Sequence, residues 1–166
     1  YTLSLHDALQ IEERRVGKDV VRYEGTFNTV GIILGAGYTG ASVEVDGGTL
    51  DDFQEWNVGA DFDIGAFGIG AIYTENNNQD EVEDENETWV VGGDYTTGPF
   101  KLGVSYLSNE EDLGTDTETD RYTGGVVYTY GPGMSFRGSV GYIDQDVTGG
   151  TDNDATTVTL GTQINF

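Results

Sequence analysis

Apolar residues alternate with small or polar ones along almost the whole of this chain, and few folds accept that pattern. The last stretch, Ala155–Phe166 (ATTVTLGTQINF), is the plainest case. Its even positions Val158, Leu160, Ile164 and Phe166 are apolar, and Thr156 and Thr162 present methyl groups. The odd positions Thr157, Thr159, Gly161, Gln163 and Asn165 are small or polar. Successive side chains of a strand point to opposite sides, so period-2 alternation makes one oily face and one wet face. A single such strand fits a soluble sheet as well as a membrane barrel, whose strands cross the bilayer with about 9–11 tilted residues.

The same unit recurs upstream. Asp19–Gly25 alternates, a short turn is expected at Gly25–Asn28, and Thr29–Tyr38 follows, its strand free to run on to Val45 before a loop at Asp46–Phe53. Glu55–Ile64 and Phe67–Thr74 pair across Gly65–Ala66. Thr88–Thr96 and Phe100–Ser108 pair across Thr97–Pro99, and Arg121–Tyr130 and Met134–Ile143 across Gly131–Gly133. The long connections Glu75–Glu87, Asn109–Asp120 and Asp144–Asp154 alternate with these turns and are rich in acids. Charge runs of that density are expected to be solvated rather than packed. Both prolines fall in short turns, where a missing N–H does no harm. The pattern predicts about nine antiparallel strands, with short turns at one end and acidic loops at the other.

Composition narrows the function. Thirty acids against seven Lys and Arg give a net charge of −23, which repels nucleic acid. There is no cysteine, hence no disulfide framework and no thiolate site. Mean hydropathy is −0.38, and no apolar run is long enough for a transmembrane helix. Barrel strands escape that test because they dilute the apolar signal by half.

Placing the strands in register separates a barrel from a soluble sandwich. Tyr38, Trp56, Tyr73, Trp89, Tyr106, Tyr122 and Tyr142 gather on the apolar face toward the long loops. Tyr23, Phe62, Phe67, Tyr95, Phe100, Tyr128, Tyr130, Phe136 and Phe166 gather toward the short turns. Aliphatic residues such as Leu34, Val58, Ile69, Val91, Val104, Val140 and Leu160 lie between them. Two aromatic girdles around an aliphatic band is what an outer-membrane barrel presents to lipid, and a sandwich core has no reason to sort aromatics this way. Apart from Asp19 at the start of the first span, no charge falls on this face within the expected spans. Arg22, Glu24, Glu55, Asp61, Asp63, Asp94, Lys101, Arg121 and Arg137 all take the other face, where they are expected to line a pore. That face is mostly Gly, Ser and Thr, too small to fill a narrow eight-stranded barrel, so a wider, water-filled lumen is expected. Bacterial single-chain barrels have even strand numbers, so nine strands are expected to be part of a larger one.

VVRYEGTFNTVGIILGAGY (20–38), WNVGADFDIGAFGIGAIY (56–73) and VTLGTQINF (158–166) resemble the general porins of Gram-negative bacteria, of the alphaproteobacterial type. The resemblance runs over residues 19–166 and includes the terminal Phe166, which is similar to the family's assembly signal. It implies an all-β, antiparallel up-and-down transmembrane barrel of sixteen strands, of which about nine are present. It also implies an outer-membrane channel for passive diffusion of ions and small hydrophilic solutes, homotrimeric when full length, in contact with lipid and lipopolysaccharide. The constriction in that family is formed by a third extracellular loop, which this stretch does not contain. Tyr1–Ile11 (YTLSLHDALQI) resembles the translation of a widely used sequencing adapter, departing from it at Gln10, where that translation has proline. Residues 1–11 are therefore expected to be non-native, and residues 12–166 to be the C-terminal portion of a porin barrel domain.

Chemistry other than transport finds little support. His6 is the only histidine and lies within the suspect residues, so residues 12–166 cannot assemble a Ser-His or Cys-His nucleophile pair. Asp61 and Asp63 share a face, as acid–base pairs do, but as lumen residues with water around them they are better read as a solvated wall. The acidic loops lack the spacing of calcium-binding loops, leaving only weak cation bridging to lipid head groups, and no metal, cofactor or catalytic residue is expected. Lys101, Arg121 and Arg137 opposite Asp61, Asp94 and Glu55 are expected to set up a transverse field or simply to keep the wall wet. The acids slightly outnumber the bases, so a weak cation preference is expected. A soluble or surface-attached acidic β-sandwich that binds or adheres is the alternative, and a small closed structural barrel a third.

Overall fold

The computed structural model describes residues 18–41, 53–77, 85–112 and 116–164. They form β1 (Lys18–Phe27), β2 (Val30–Ala41), β3 (Phe53–Ile64), β4 (Phe67–Asn76), β5 (Asn86–Thr97), β6 (Phe100–Asp112), β7 (Asp116–Gly131), β8 (Met134–Val147) and β9 (Asn153–Ile164). All nine join one sheet in sequence order, each antiparallel to the next, with β1 and β9 at its two open edges. Two-residue turns leave β1–β2, β3–β4, β5–β6 and β7–β8 no other partner, and the longer connections set these hairpins side by side in sequence order.

The short turns carry the required chemistry. Gly65 and Gly98 take φ of 63° and 55° at the first central position, and Gly133 takes 79° after Pro132. Positive φ is nearly free for glycine, and proline presets the companion residue. The first turn lies at Asn28–Thr29 rather than Gly25–Asn28. Asn28 supplies the left-handed residue, φ 60°, so β1 continues past Gly25 to Phe27. In β7 a register shift between Thr129 and Gly131 leaves Tyr130 as an extra, bulged residue.

The largest departure from expectation lies at the acidic ends. Residues expected as solvated loops are paired strand: β6 runs on to Asp112 and β7 begins at Asp116. The register sets Glu75 opposite Glu87, Glu87 opposite Glu110, Glu110 opposite Glu118 and Glu118 opposite Asp146. A second row sets Asp120 beside Asp144 and Asp144 beside Asp154. Like charges directly opposite one another destabilise a sheet, so side chains do not drive this pairing. On the other face polar amides hold the extension: Asn109 Nδ2 donates to Asn86 Oδ1 at 2.6 Å and to Thr88 Oγ1 at 2.9 Å. The extension of β2 toward Val45 stops at Ala41, and 42–52 lie outside the described residues.

The sheet has no core. Ile33, 8% exposed, is the one buried hydrophobic side chain among the described residues. Burying apolar side chains is worth roughly 1.5–3 kcal/mol each to an ordinary domain, and this sheet leaves Val21, Leu34, Val104 and Leu160 uncovered. A soluble sandwich needs a second layer, which the described residues do not supply.

Glu118→Lys should raise the stability of the whole barrel by about 0.5–1 kcal/mol at low salt, since it turns two like-charge rungs into attractive ones. Urea midpoints in lipid vesicles read the change, and salt should shrink it. An unchanged midpoint at low salt would mean that Glu110, Glu118 and Asp146 are not rungs of one ladder.

Candidate functional site

Register sorts the side chains into two faces. On one, Tyr38 stands opposite Trp56, Val58 opposite Tyr73, Tyr73 opposite Trp89, Val91 opposite Tyr106, Tyr106 opposite Tyr122 and Tyr122 opposite Tyr142. The rings touch. Trp56 and Tyr73 have centroids 4.9 Å apart, Tyr73 and Trp89 4.5 Å, and Tyr106 and Tyr122 4.9 Å. A second line of rings runs near the short turns: Phe67 on Tyr95 at 4.6 Å and Phe100 on Tyr128 at 4.9 Å. Phe62 pairs with Ile69, Phe136 with Tyr128, and Tyr23 with Leu34. Cross-strand aromatic pairs of this geometry add to stability beyond area burial. Phe166 lies outside the described residues.

At the long-loop edge the girdle is tied to the acid rows. Tyr73 Oη donates to Glu75 Oε2 at 2.7 Å and Tyr106 Oη donates to Asp120 Oδ1 at 2.8 Å. One strand therefore passes from aliphatic to aromatic to anionic within a few residues, the order of a bilayer's hydrocarbon, interface and head groups.

All nine charged residues expected to line a pore share the opposite face. Arg22 stands opposite Gly35, Glu24 opposite Ile33, Glu55 opposite Thr39, and Asp61 and Asp63 opposite Gly70 and Gly68. Asp94 stands opposite Gly103, Lys101 and Arg137 flank Val127 in one row, and Arg121 lies between Leu107 and Ile143. Arg22 Nη2 donates to Glu24 Oε2 at 3.2 Å, and Lys101 Nζ sits 3.2 Å from Asp94 Oδ2. Arg137 Nη2 donates to Gln163 Oε1. These pairs are half-exposed and contribute little to stability, but they fix where charge sits on the wall.

Two features of this face were not read from the sequence. Ile72, Val90, Leu107 and Ile143 form a half-buried aliphatic row in the midst of the polar face, interrupted only by Arg121. Glu55, expected as a solvated wall charge, is only 5% exposed. The alternation of β4–β8 carried a signal for the first, since Val90–Val91 and Leu107 break the strict polar phase. Nothing in the pattern around Glu55 signals its burial.

Glycine gives this face its relief. A Cβ on Gly68 would stand 2.6 Å from Asp94 Oδ1 and 3.5 Å from Asp63 Oδ1, so both carboxylates lean over that glycine from neighbouring strands. Around it lies a recess of about 450 Å³, floored by Gly70, Gly92, Gly103 and Gly125 and edged by Asp94, Lys101 and Arg137. Among the described residues no group of three or more His, Cys, Asp or Glu is placed to hold a metal ion.

A coreless sheet with one charged, glycine-rich face and one girdled apolar face is part of the wall of a membrane β-barrel. The chain belongs to the Gram-negative porin family, which it matches over residues 6–165. Members of that family are outer-membrane channels rather than enzymes, and the outer membrane is where this chain resides. Solved structures share the fold at low identity. In-vitro folded OmpT, an outer membrane protein of Vibrio cholerae, superposes with a TM-score of 0.69 at 19% identity over 89% of this chain and 49% of its own. A porin refined at 1.8 Å gives 0.58 at 20% identity, covering 90% and 51%. The anion-selective porin from Comamonas acidovorans gives 0.62 at 14% identity, covering 87% and 46%. The chain thus spans about half the length of the structures it resembles. No curated protein matches it.

The contrast between faces can be tested at adjacent residues. Val104→Arg should destabilise the barrel in a bilayer by roughly 2–4 kcal/mol, the cost of a cation at the midplane. Ser105→Arg, one residue on, should change it by less than about 0.5 kcal/mol. Equal costs in vesicle unfolding titrations would contradict the assignment of faces.

Proposed function

We propose that this chain supplies about half the wall of an outer-membrane porin through which ions and small hydrophilic solutes diffuse passively. The observation that carries the reading is an exposed apolar face, free of charge between its two aromatic girdles, set against a glycine-rich face that carries Arg22, Glu24, Glu55, Asp61, Asp63, Asp94, Lys101, Arg121 and Arg137. In lipid every backbone polar group needs an internal partner, and the unpaired edges of β1 and β9 call for further strands to close the barrel. Sixteen in all is consistent with the half-length overlap.

In this arrangement Arg22, Glu24, Glu55, Asp61, Asp63, Asp94, Lys101, Arg121 and Arg137 line the lumen. The two aromatic girdles mark the interfaces with lipid and lipopolysaccharide. The acid rungs Glu110–Glu118 and Asp144–Asp154 then stand above the outer interface, since long connections of such barrels face outside. The completed protein is a homotrimer in this proposal.

Selectivity follows from charge, because the shared fold also serves an anion-selective neighbour. Five lumen acids against four bases, with acid rows around the mouth, favour cations modestly. The charges are also segregated: Asp61, Asp63 and Asp94 come from β3 and β5, Lys101, Arg121 and Arg137 from β6 to β8. A field across the wall orients polar solutes as they pass.

Reversal potentials of the whole pore across a KCl gradient test this. The sign should be that of cation preference at low salt, fading as the Debye length falls to about 10 Å at 0.1 M and below. A potential of the opposite sign at low salt would refute the preference, and absence of conductance would refute the pore.

A further inference from the structure

We propose that a hollow in the apolar face seats one straight, saturated acyl chain of a membrane lipid. The proposal rests on the assignment of that face to lipid and is independent of what passes through the lumen. Register sets two rows of side chains there. One runs Val21, Ala36, Val58, Tyr73 and Trp89, and the next runs Tyr23, Leu34, Ala60 and Ala71. Small side chains thus meet where β2, β3 and β4 adjoin, with rings standing around them. Ala60 and Ala71 lie directly opposite each other and are half-buried below their neighbours. The hollow that results measures about 830 Å³, within the range of sites that take small molecules.

Its wall toward the long loops is stiff. Trp56, Tyr73 and Trp89 stack in series, with centroids 4.9 and 4.5 Å apart. Tyr73 is fixed further, because its Oη donates to Glu75 Oε2 at 2.7 Å. A ring held outward in this way cannot drop onto Ala71 and fill the space. Val21 and Tyr23 close the hollow on β1. From β1 to β5 it crosses four strand spacings, roughly 19 Å, a length that an extended acyl chain can follow.

In hydrocarbon such a hollow gains nothing from the hydrophobic effect, since lipid tails are as apolar as its lining. Fit decides instead. Atoms that line a void lose the dispersion contacts of one side, and a chain lying along the hollow restores them. A branched chain carries methyl groups that the stacked rings exclude, so the straight chain packs better. A second copy of this protein is a poor occupant. The long-loop margin of this face carries Glu75, Glu87, Glu110 and Glu118, and among the described residues the face holds no cation to meet them. An acyl chain brings no charge to that margin.

Retention of lipid makes the test. The whole barrel is reconstituted in vesicles of equal parts dipalmitoyl- and diphytanoylphosphatidylcholine, whose chains share a backbone and differ in methyl branches. It is then extracted into mild detergent and weighed by native mass spectrometry. Once loosely held lipid has washed away, one lipid per barrel should remain. It should be the straight-chained one by about fivefold or more, the effect of about ten further carbon contacts. Ala71→Phe, which fills the floor, should abolish retention, whereas Ala71→Ser, which keeps the hollow open, should not. Equal retention of the two lipids by the unmutated barrel, or retention of neither, would overturn the site without any variant having to fold. Loss of the oligomer in Ala71→Phe with lipid still retained would also overturn it and make the hollow a contact between copies. Conductance of the same preparation judges the pore separately, and its absence would overturn the pore while leaving the lipid site standing.

Discussion

Everything in this structure depends on how a backbone can cross hydrocarbon. Each N–H and C=O left without a partner in lipid costs several kcal/mol, so a crossing chain must pair all of them within the protein. Among the described residues the nine-strand ladder does this between neighbouring strands, interrupted by one bulge at Tyr130 and left open at the outer edges of β1 and β9. Side-chain burial within the sheet contributes almost nothing, since Ile33 is the single buried hydrophobic among the described residues. The fold is held by its hydrogen-bond ladder and by two different solvents on its two faces.

Freed from filling a core, side chains are chosen by what each face meets. On the apolar side, rings stack on rings from strand to strand, and tyrosine hydroxyls reach outward to Glu75 and Asp120. On the polar side, long residues lie down over glycines: Asp94 over Gly68, and Asn57 over Gly37, where a Cβ would stand 2.8 Å from Asn57 Oδ1. The wall thereby carries charge without closing the space in front of it. The same ladder carries the acid rungs beyond the aromatic line. There, backbone pairing and the Asn86–Thr88–Asn109 amide network outweigh repulsion between carboxylates about 5 Å apart.

How much of this could be read from the residues follows from what alternation encodes. Period-2 patterning specifies which face each side chain takes, so the sides of Arg137, Asp94, Trp89 and Val104 were all legible, as was the antiparallel order. The short turns were legible where Gly or Pro marked them, and misplaced by a few residues at Asn28, whose left-handed φ has no unique sequence mark. The strand ends were not legible. Glu110, Asp112 and Asp116 look like solvated loop on composition, and their pairing is imposed by the hairpin that grows from below. The burial of Glu55 and the aliphatic row Ile72–Val90–Leu107 arise from neighbours across strands, which local pattern does not contain.

The central claim, one sheet between two solvents, is tested most directly along β6. The chain has no cysteine, so single cysteines at Leu102, Gly103, Val104, Ser105 and Tyr106 can each carry a nitroxide in the whole barrel in lipid. Collision with oxygen, which concentrates in hydrocarbon, should dominate at 102, 104 and 106. Collision with a water-soluble nickel complex should dominate at 103 and 105. Strict reversal from residue to residue is the result this account predicts. Equal nickel access at all five positions, or low access to both reagents at 102, 104 and 106, would contradict it and return the apolar face to a protein interior.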